Sequence, residues 1–244
     1  MRLYPEKLSA HLQQQLLPVY LVSGDEPLLL QECCDLIRSQ ARAQGCTDRE
    51  VIDAGVAGFD WQEILHSATS MSLFAERRLV ELRLASGKPG AEGSKALCEY
   101  LDISGGEDVL LIIAGKIDKQ STNSKWFKAL DQAGAVIQVW PVDAGKLPRW
   151  LRQRVADAGM TIDDDALQLL CERVEGNLLA AVQEVEKLKL LVSDSQITAQ
   201  TVTEAVSDNA RYNLFDMADN ALKGDATASM RNSLNVEYAA FNIR

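Results

Sequence analysis

The sequence predicts an α/β domain, built as a five-stranded parallel sheet in three layers, followed by an all-α segment. Residues 17–141 alternate short apolar runs with amphipathic stretches. Two of those runs, Val109-Leu110-Leu111-Ile112-Ile113 and Val136-Ile137-Gln138-Val139, are apolar almost throughout, as strands buried on both faces must be. The intervening helices supply the crossovers that parallel pairing requires. After Pro141-Val142-Asp143-Ala144-Gly145-Lys146-Leu147-Pro148, which combines two prolines and a glycine, no strand-like run occurs.

The first strand is Pro18–Ser23. Its apolar centre, Val19–Val22, leads through Ser23-Gly24-Asp25-Glu26 into a helix over Pro27–Gln44. Pro27 belongs in a first helical turn, where a missing N–H costs nothing. Leu29, Cys33, Leu36, Ile37 and Ala41 form that helix's apolar stripe. Strands follow over Glu50–Asp53, Arg78–Leu84, Val109–Ala114 and Ala135–Trp140, with helices over Trp61–Thr69, Ala91–Leu101 and Ser124–Gln132 between them. Beyond the boundary, Leu147–Ala158 is an amphipathic helix. Asp163–Asp165 caps the next, with Ala166, Leu169, Leu170 and Val174 facing inward, and Gly176-Asn177 ends it. A longer helix carries Leu178, Val182, Val185, Leu188 and Val192 on one face, and Thr198 caps a last short helix over Ala199–Val206. Leu214–Leu222 begins helically, but the period is lost by Met230–Asn235. The expected domains are residues 1–142, 143–210 and 211–244, the last being the beginning of a truncated helical unit.

Composition narrows the function. With 47% apolar and 25% charged residues the chain is globular, and no apolar run approaches the roughly 18 residues of a membrane span. The N-terminal residues lack the apolar core of a signal peptide, so a cytoplasmic protein without membrane contact is expected. The net charge of −10 opposes unaided binding to nucleic acid. Arg77-Arg78 and the group Arg149, Arg152 and Arg154 therefore read first as solvated surface, with DNA contact inside an assembly as the alternative. The five cysteines (Cys33, Cys34, Cys46, Cys98 and Cys171) are odd in number and lack a CxxC pair, which points to buried free thiols. The two histidines, His11 and His66, stand far from them in sequence, so no metal site is expected.

In a nucleotide-hydrolysing α/β domain, the turn after the first strand carries a glycine-rich loop with Lys and Ser/Thr. Here that turn holds one glycine and two carboxylates, Asp25 and Glu26. The carboxylates satisfy the helix N-terminus themselves and repel a phosphate. An α/β domain followed by a helical lid is the arrangement of AAA+ ATPases, and two further nucleotide stations of that arrangement are also vacant. The third strand ends in Ala85-Ser86 rather than in acidic residues, with Glu81 mid-strand, where a lone carboxylate reads as a surface or edge residue. In the lid, Leu179 stands where AAA+ proteins place a phosphate-sensing arginine. Gly115-Lys116 lacks the upstream glycine and following hydroxyl of a phosphate loop. No nucleotide or other cofactor is expected. No catalytic set is present either, since GxSxG and HExxH are both absent. The acidic run Asp163-Asp164-Asp165 reads as a helix cap rather than a cation site.

Ser70-Met71-Ser72-Leu73-Phe74-Ala75 places apolar residues at the end of an element, where chains usually turn polar. Two readings are open: Leu73 and Phe74 pack beneath the loop, or they form an exposed plug for a partner's pocket.

The chain resembles the delta subunit of the bacterial DNA polymerase III clamp loader over about residues 1–225. The resemblance rests on Arg2-Leu3-Tyr4-Pro5-Glu6 with Leu8, on Gly24-Asp25-Glu26-Pro27-Leu28-Leu29-Leu30-Gln31-Glu32, on Met71-Ser72-Leu73-Phe74-Ala75, on Leu147-Pro148-Arg149-Trp150, and on Glu175-Gly176-Asn177-Leu178-Leu179-Ala180. It implies an AAA+-like fold without ATP binding. The chain would be a non-catalytic subunit of a DNA-directed DNA polymerase, a nucleotidyltransferase holoenzyme. Its implied partners are the ring-shaped sliding clamp (the beta subunit) and other loader subunits, both ATP-binding and delta-prime-like, with DNA met only inside the assembly. It also implies that Leu73 and Phe74 enter the clamp's apolar pocket, that Met71 and Ser72 complete the contact, and that the contact opens the ring. Thr69 and Ser70 stand near the position where such motifs often begin with glutamine. Residues 211–225 match the beginning of the family's collar domain, whereas Ser229–Arg244 does not resemble it. The readings set against this one are a cryptic NTPase and a DNA-binding module on the same scaffold.

Overall fold

The computed structural model describes residues 1–70, 77–174, 176–192 and 195–205. Two compact units are present, with the division after Pro141.

The first unit begins with β1 (Arg2–Leu3) and α1 (Pro5–Gln14), then β2 (Val19–Gly24), α2 (Pro27–Ala43), β3 (Cys46–Asp53), α3 (Gln62–Thr69) and β4 (Arg77–Leu84). It continues with α4 (Gly90–Ile103), β5 (Val109–Ala114), α5 (Lys125–Ala133) and β6 (Ala135–Val139). The strands form one sheet in the order β1-β6-β2-β5-β4-β3, parallel at each pairing. Strand residues alternate between two cores, because successive side chains leave opposite faces. Leu21, Val80, Leu82, Leu110 and Ile112 meet Leu97 of α4 and Phe127 and Leu130 of α5 on one face. Tyr20, Val22, Leu111 and Ile137 meet Leu8 of α1 and Ile37 of α2 on the other.

The expected α/β fold is present, but with six strands rather than five. The added strand, β1, pairs Arg2 with Val136 and Leu3 with Ile137 at the sheet's edge. Two residues are too few to carry a period, and α1 behind it has a weak pattern for a related reason. Its buried positions are only Leu8, His11 and Leu12, in a helix otherwise polar. His11 lies 3.3 Å from the Tyr20 hydroxyl, which accepts a bond from the Leu17 N–H. Burial holds the His11 imidazole below its ordinary pKa, with the N-terminal charge a second cause.

β3 begins four residues before the predicted start, because its polar half, Thr47-Asp48-Arg49, lies on the sheet's exposed edge. In α2 the buried set is Leu28, Cys33, Cys34, Ile37 and Ala41, whereas Leu36, expected inside, is exposed. All five cysteines are free, with Cys33, Cys34 and Cys46 buried and the other two half-buried. Burial pushes the thiols of Cys33 and Cys34 up to about 11 and about 12, so both are neutral at physiological pH.

The second unit holds α6 (Leu147–Asp157), α7 (Asp164–Val174) and α8 (Leu178–Leu191), then a helical stretch over 199–205. It also contains a parallel pair of two-residue strands, β7 (Thr161–Ile162) and β8 (Gln196–Ile197), where none was expected. The pair ties the entry of α7 to the exit of α8 through Thr161 N–H to Ser195 O and Asp163 N–H to Ile197 O. Asp163 caps α7 by accepting the Ala166 N–H at 2.7 Å, and Asn177 caps α8 by accepting the Ala180 N–H at 3.1 Å. Between those helices Gly176 takes a φ of +80°, a left-handed conformation that suits glycine. α7 buries Leu167 where Leu169 was expected, and α8 buries Ala181 where Val182 was expected. These are errors of two positions and one position in the phase of a 3.6-residue period. Thr198 caps the last helix through the Thr201 N–H. Among the described residues no helix is long and apolar enough to cross a membrane, and no group of three or more His, Cys, Asp or Glu could hold a metal ion.

Candidate functional site

In doubly wound sheets, ligands bind beyond the carboxyl ends of the strands where the strand order reverses. Here that point is the end of β2, between β5 and β6. Gly24 sits there, and a Cβ on it would stand 2.2 Å from the Val139 carbonyl oxygen of β6. The glycine thus lets two strand ends close on each other. Immediately after it, the Glu26 carboxylate accepts the Leu28 N–H at 3.2 Å and caps α2. Asp25 pairs with Lys116 Nζ at 3.0 Å, and that ammonium lies 5.5 Å from the centre of the exposed Trp140 ring. The lysine at the end of β5 is therefore already engaged by a carboxylate, and two negative groups face any phosphate that approaches α2. The third strand of the prediction, β4, ends in Leu84, without a carboxylate in its final turn outward. In the second unit, Leu179 stands in the first turn of α8 and is 50% exposed.

Met71, Ser72, Leu73 and Phe74 lie outside the described residues. The elements on either side of them are described. At the end of α3, Thr69 Oγ1 donates to the carbonyls of Leu65 and His66, and the N–H and hydroxyl of Ser70 both donate to His66 O. The Ser67 carbonyl, in the last turn of the helix, accepts the Ser70 N–H at 3.3 Å and Arg78 Nη2 at 2.7 Å. Arg78, the second residue of β4, is only 7% exposed. Its Nε and Nη2 donate to Asp108 Oδ2 at 3.0 and 2.7 Å, and its backbone N–H donates to Asp108 Oδ1 at 2.8 Å. Glu50 Oε2 of β3 accepts the Ser67 hydroxyl at 2.6 Å and lies 3.4 Å from Arg78 Nη1. One buried guanidinium thus joins the last turn of α3 to the start of β4 and to Asp108.

A family model described as DNA polymerase III, delta subunit, matches residues 20–139, and a second, described as a middle domain, matches residues 146–204. The DNA polymerase III subunit delta of Haemophilus influenzae is 31% identical over 233 residues, which cover 94% of this chain and 67% of that one. The chain belongs to the DNA polymerase III delta subunit family. The delta subunit of Escherichia coli is 36% identical over 230 residues, 94% of this chain and 66% of that protein, so this delta-family chain spans about two thirds of the length of those relatives. A solved Bacillus subtilis DNA clamp loader delta protein has the same fold, with a TM-score of 0.64 at 21% identity over 96% of this chain and 71% of that one. Thermotoga maritima RuvB follows with a TM-score of 0.51 at 15% identity over 83% of this chain and 67% of that one, an AAA+-like neighbour in agreement with the fold expected.

Two expectations about charged residues in this delta-family chain are overturned. Glu81 is not a surface or edge residue. It is 0% exposed on the α2 face of β4, and its Oε2 accepts from Arg38 Nε at 2.9 Å and from Arg49 Nη2 at 2.8 Å, while its Oε1 accepts from Arg83 Nε at 2.9 Å. Arg78 of the pair Arg77-Arg78 is buried, not solvated. In both cases partners distant in sequence neutralise the charge, and residues considered one at a time do not reveal them. One signal was available: Leu79-Val80-Glu81-Leu82 is apolar on both sides of Glu81, which places the carboxylate in a strand covered on both faces. The other basic group keeps the expected exposure at Arg149 and Arg152. Arg152 pairs with Asp164 at 2.5 Å, and the half-buried Arg154 lies 4.9 Å from the Trp150 ring centre.

Proposed function

We propose that this chain grips and opens the sliding clamp, acting by protein–protein contact and without catalysis of its own. The observation that carries this reading is the delta-subunit match over residues 20–139, a span that contains Met71-Ser72-Leu73-Phe74. The Leu73 and Phe74 side chains would fill an apolar pocket of the clamp's beta subunit, with Met71 and Ser72 completing the contact. Burial of the pair contributes roughly 1.5–3 kcal/mol per side chain, enough to favour one state of the ring without covalent chemistry.

The domains divide the work. Residues 1–142 would be the AAA+-like, clamp-contacting α/β domain, residues 143–210 the helical lid, and residues 211–244 the beginning of a collar that joins loader subunits. The carboxylates at the start of α2 and the Asp25–Lys116 pair support a subunit that leaves ATP to its neighbours. Those neighbours would be ATP-binding and delta-prime-like subunits, and DNA would be met only inside the cytoplasmic assembly, in keeping with the net charge of −10.

Binding tests the reading. Leu73→Ala combined with Phe74→Ala, in the full chain against purified sliding clamp, is expected to weaken affinity at least tenfold, about 1.4 kcal/mol. A folded double variant that binds as tightly as the wild type sinks it.

A further inference from the structure

We infer that the groove between α3 and α4 is a docking site for a basic segment of a partner protein, seating an arginine side chain on an aromatic floor. Phe59, Trp61 and Leu65 line it on the α3 side and Ala96 on the α4 side, around a cavity of about 320 Å³. Packing fixes that floor. The Trp61 indole lies so close to α4 that a Cβ on Gly93 would stand 2.3 Å from Cζ2, and the Phe59 ring meets the indole edge to face at 5.3 Å. Phe59, Trp61 and Leu65 are nevertheless only half-buried.

Charge selects the occupant. Asp60, Glu92 and Glu99 rim the groove, with Lys95 as the cation among the described residues that line it, and all four are exposed. Asp60 is held in place by the start of α3, where its Oδ1 accepts the Gln62 N–H at 2.9 Å. Among the described residues no group of three or more His, Cys, Asp or Glu could hold a metal ion, so these carboxylates border an apolar surface instead of converging on a bare cation. An arginine side chain suits both parts of the groove. Its methylene stem covers apolar surface, its guanidinium forks onto a carboxylate, and an indole face attracts the cation. A nucleic acid would bring phosphates to an acidic rim. A second copy of this chain would bring its own net charge of −10.

The test titrates the peptide acetyl-Gly-Arg-Leu-Arg-Gly-amide into the full, nitrogen-labelled chain at low ionic strength. The readout is the Trp61 indole N–H resonance, assigned by its loss in Trp61→Phe. A saturable shift is expected. Glu92→Gln combined with Glu99→Gln changes only exposed side chains and is expected to weaken the peptide about threefold or more, whereas Lys95→Gln is expected to tighten it about twofold. The analogue with citrulline in place of both arginines keeps the shape without the charge and is expected to bind at least about threefold more weakly. Absence of a saturable shift, equal affinity for the citrulline peptide, or unchanged affinity in the double glutamine variant overturns the inference. So does a wild-type dimer in sedimentation that the glutamine substitutions dissociate, since that result assigns the groove to a second copy of the chain.

Discussion

Glu81→Gln is expected to destabilise the protein by about 3 kcal/mol at neutral pH, read as a fall in the urea midpoint with an unchanged slope. The substitution keeps the shape and the acceptor oxygen but removes the one negative charge that three guanidinium groups share. Arg38, Arg49 and Arg83 would then face one another around a neutral amide, with Asp35 relieving only Arg38. Breaking a buried ion pair typically costs about 3–5 kcal/mol. The lower end applies here, because the arginines are 22%, 40% and 48% exposed and water screens their repulsion. A loss below about 1 kcal/mol would show that the guanidiniums simply turn outward into solvent.

The same carboxylate gives a pH signature. Burial pushes the Glu81 pKa up, but bonds from Arg83 and Arg38, the charge of Arg38 and the bond from Arg49 together outweigh it, so the folded value lies below the ordinary 4.5. A depressed folded pKa means that the contribution is complete above the unfolded value and is lost as pH falls through the folded one. The stability gap between wild type and Glu81→Gln is therefore expected to be flat above about pH 6 and to shrink below about pH 4.5. The difference between the two proteins cancels the other carboxylates, which titrate in both. A gap that holds constant down to pH 3 would assign the effect to packing instead of charge.

Glu81 also marks the limit of what the sequence discloses. The strands themselves are legible, because Val109–Ile113 and Val136–Val139 must be covered on both faces to be that apolar. The helices between them are legible for the same reason, and the absence of a phosphate loop can be read directly from Gly24-Asp25-Glu26. What escapes is pairwise. The Arg49 partner of Glu81 lies in the polar half of β3, before the predicted strand start, so its register beside β4 could not be inferred. Arg78 reads as half of an exposed basic pair until Asp108 and the Ser67 carbonyl, thirty and eleven positions away, are brought to it. Local patterns report how much of a residue is covered. They do not report which distant group covers it. Leu73 and Phe74 differ again: periodicity leaves them between a packed loop and a plug, and the resemblance to the delta family favours the second.

Gly24→Ala is expected to cost about 2–3 kcal/mol, as overpacking in a rigid region does. The new methyl group would meet the Val139 carbonyl oxygen at 2.2 Å and its carbonyl carbon at 2.9 Å, and both belong to backbone that β6 holds in the sheet. No side chain can swing aside to accommodate it, so β2 and β6 must separate at the point where Gly24 pairs with Val139. In a phosphate-binding loop, the comparable glycine keeps backbone N–H groups open for a ligand, and its substitution first harms binding. Here the harm should fall on the fold, measured by thermal or urea unfolding of the isolated chain with no nucleotide added. A Gly24→Ala protein as stable as the wild type would mean that the strand ends have slack, and that the glycine answers to something other than packing. The expected result instead gives the residue a packing role: it lets the ends of β2 and β6 meet.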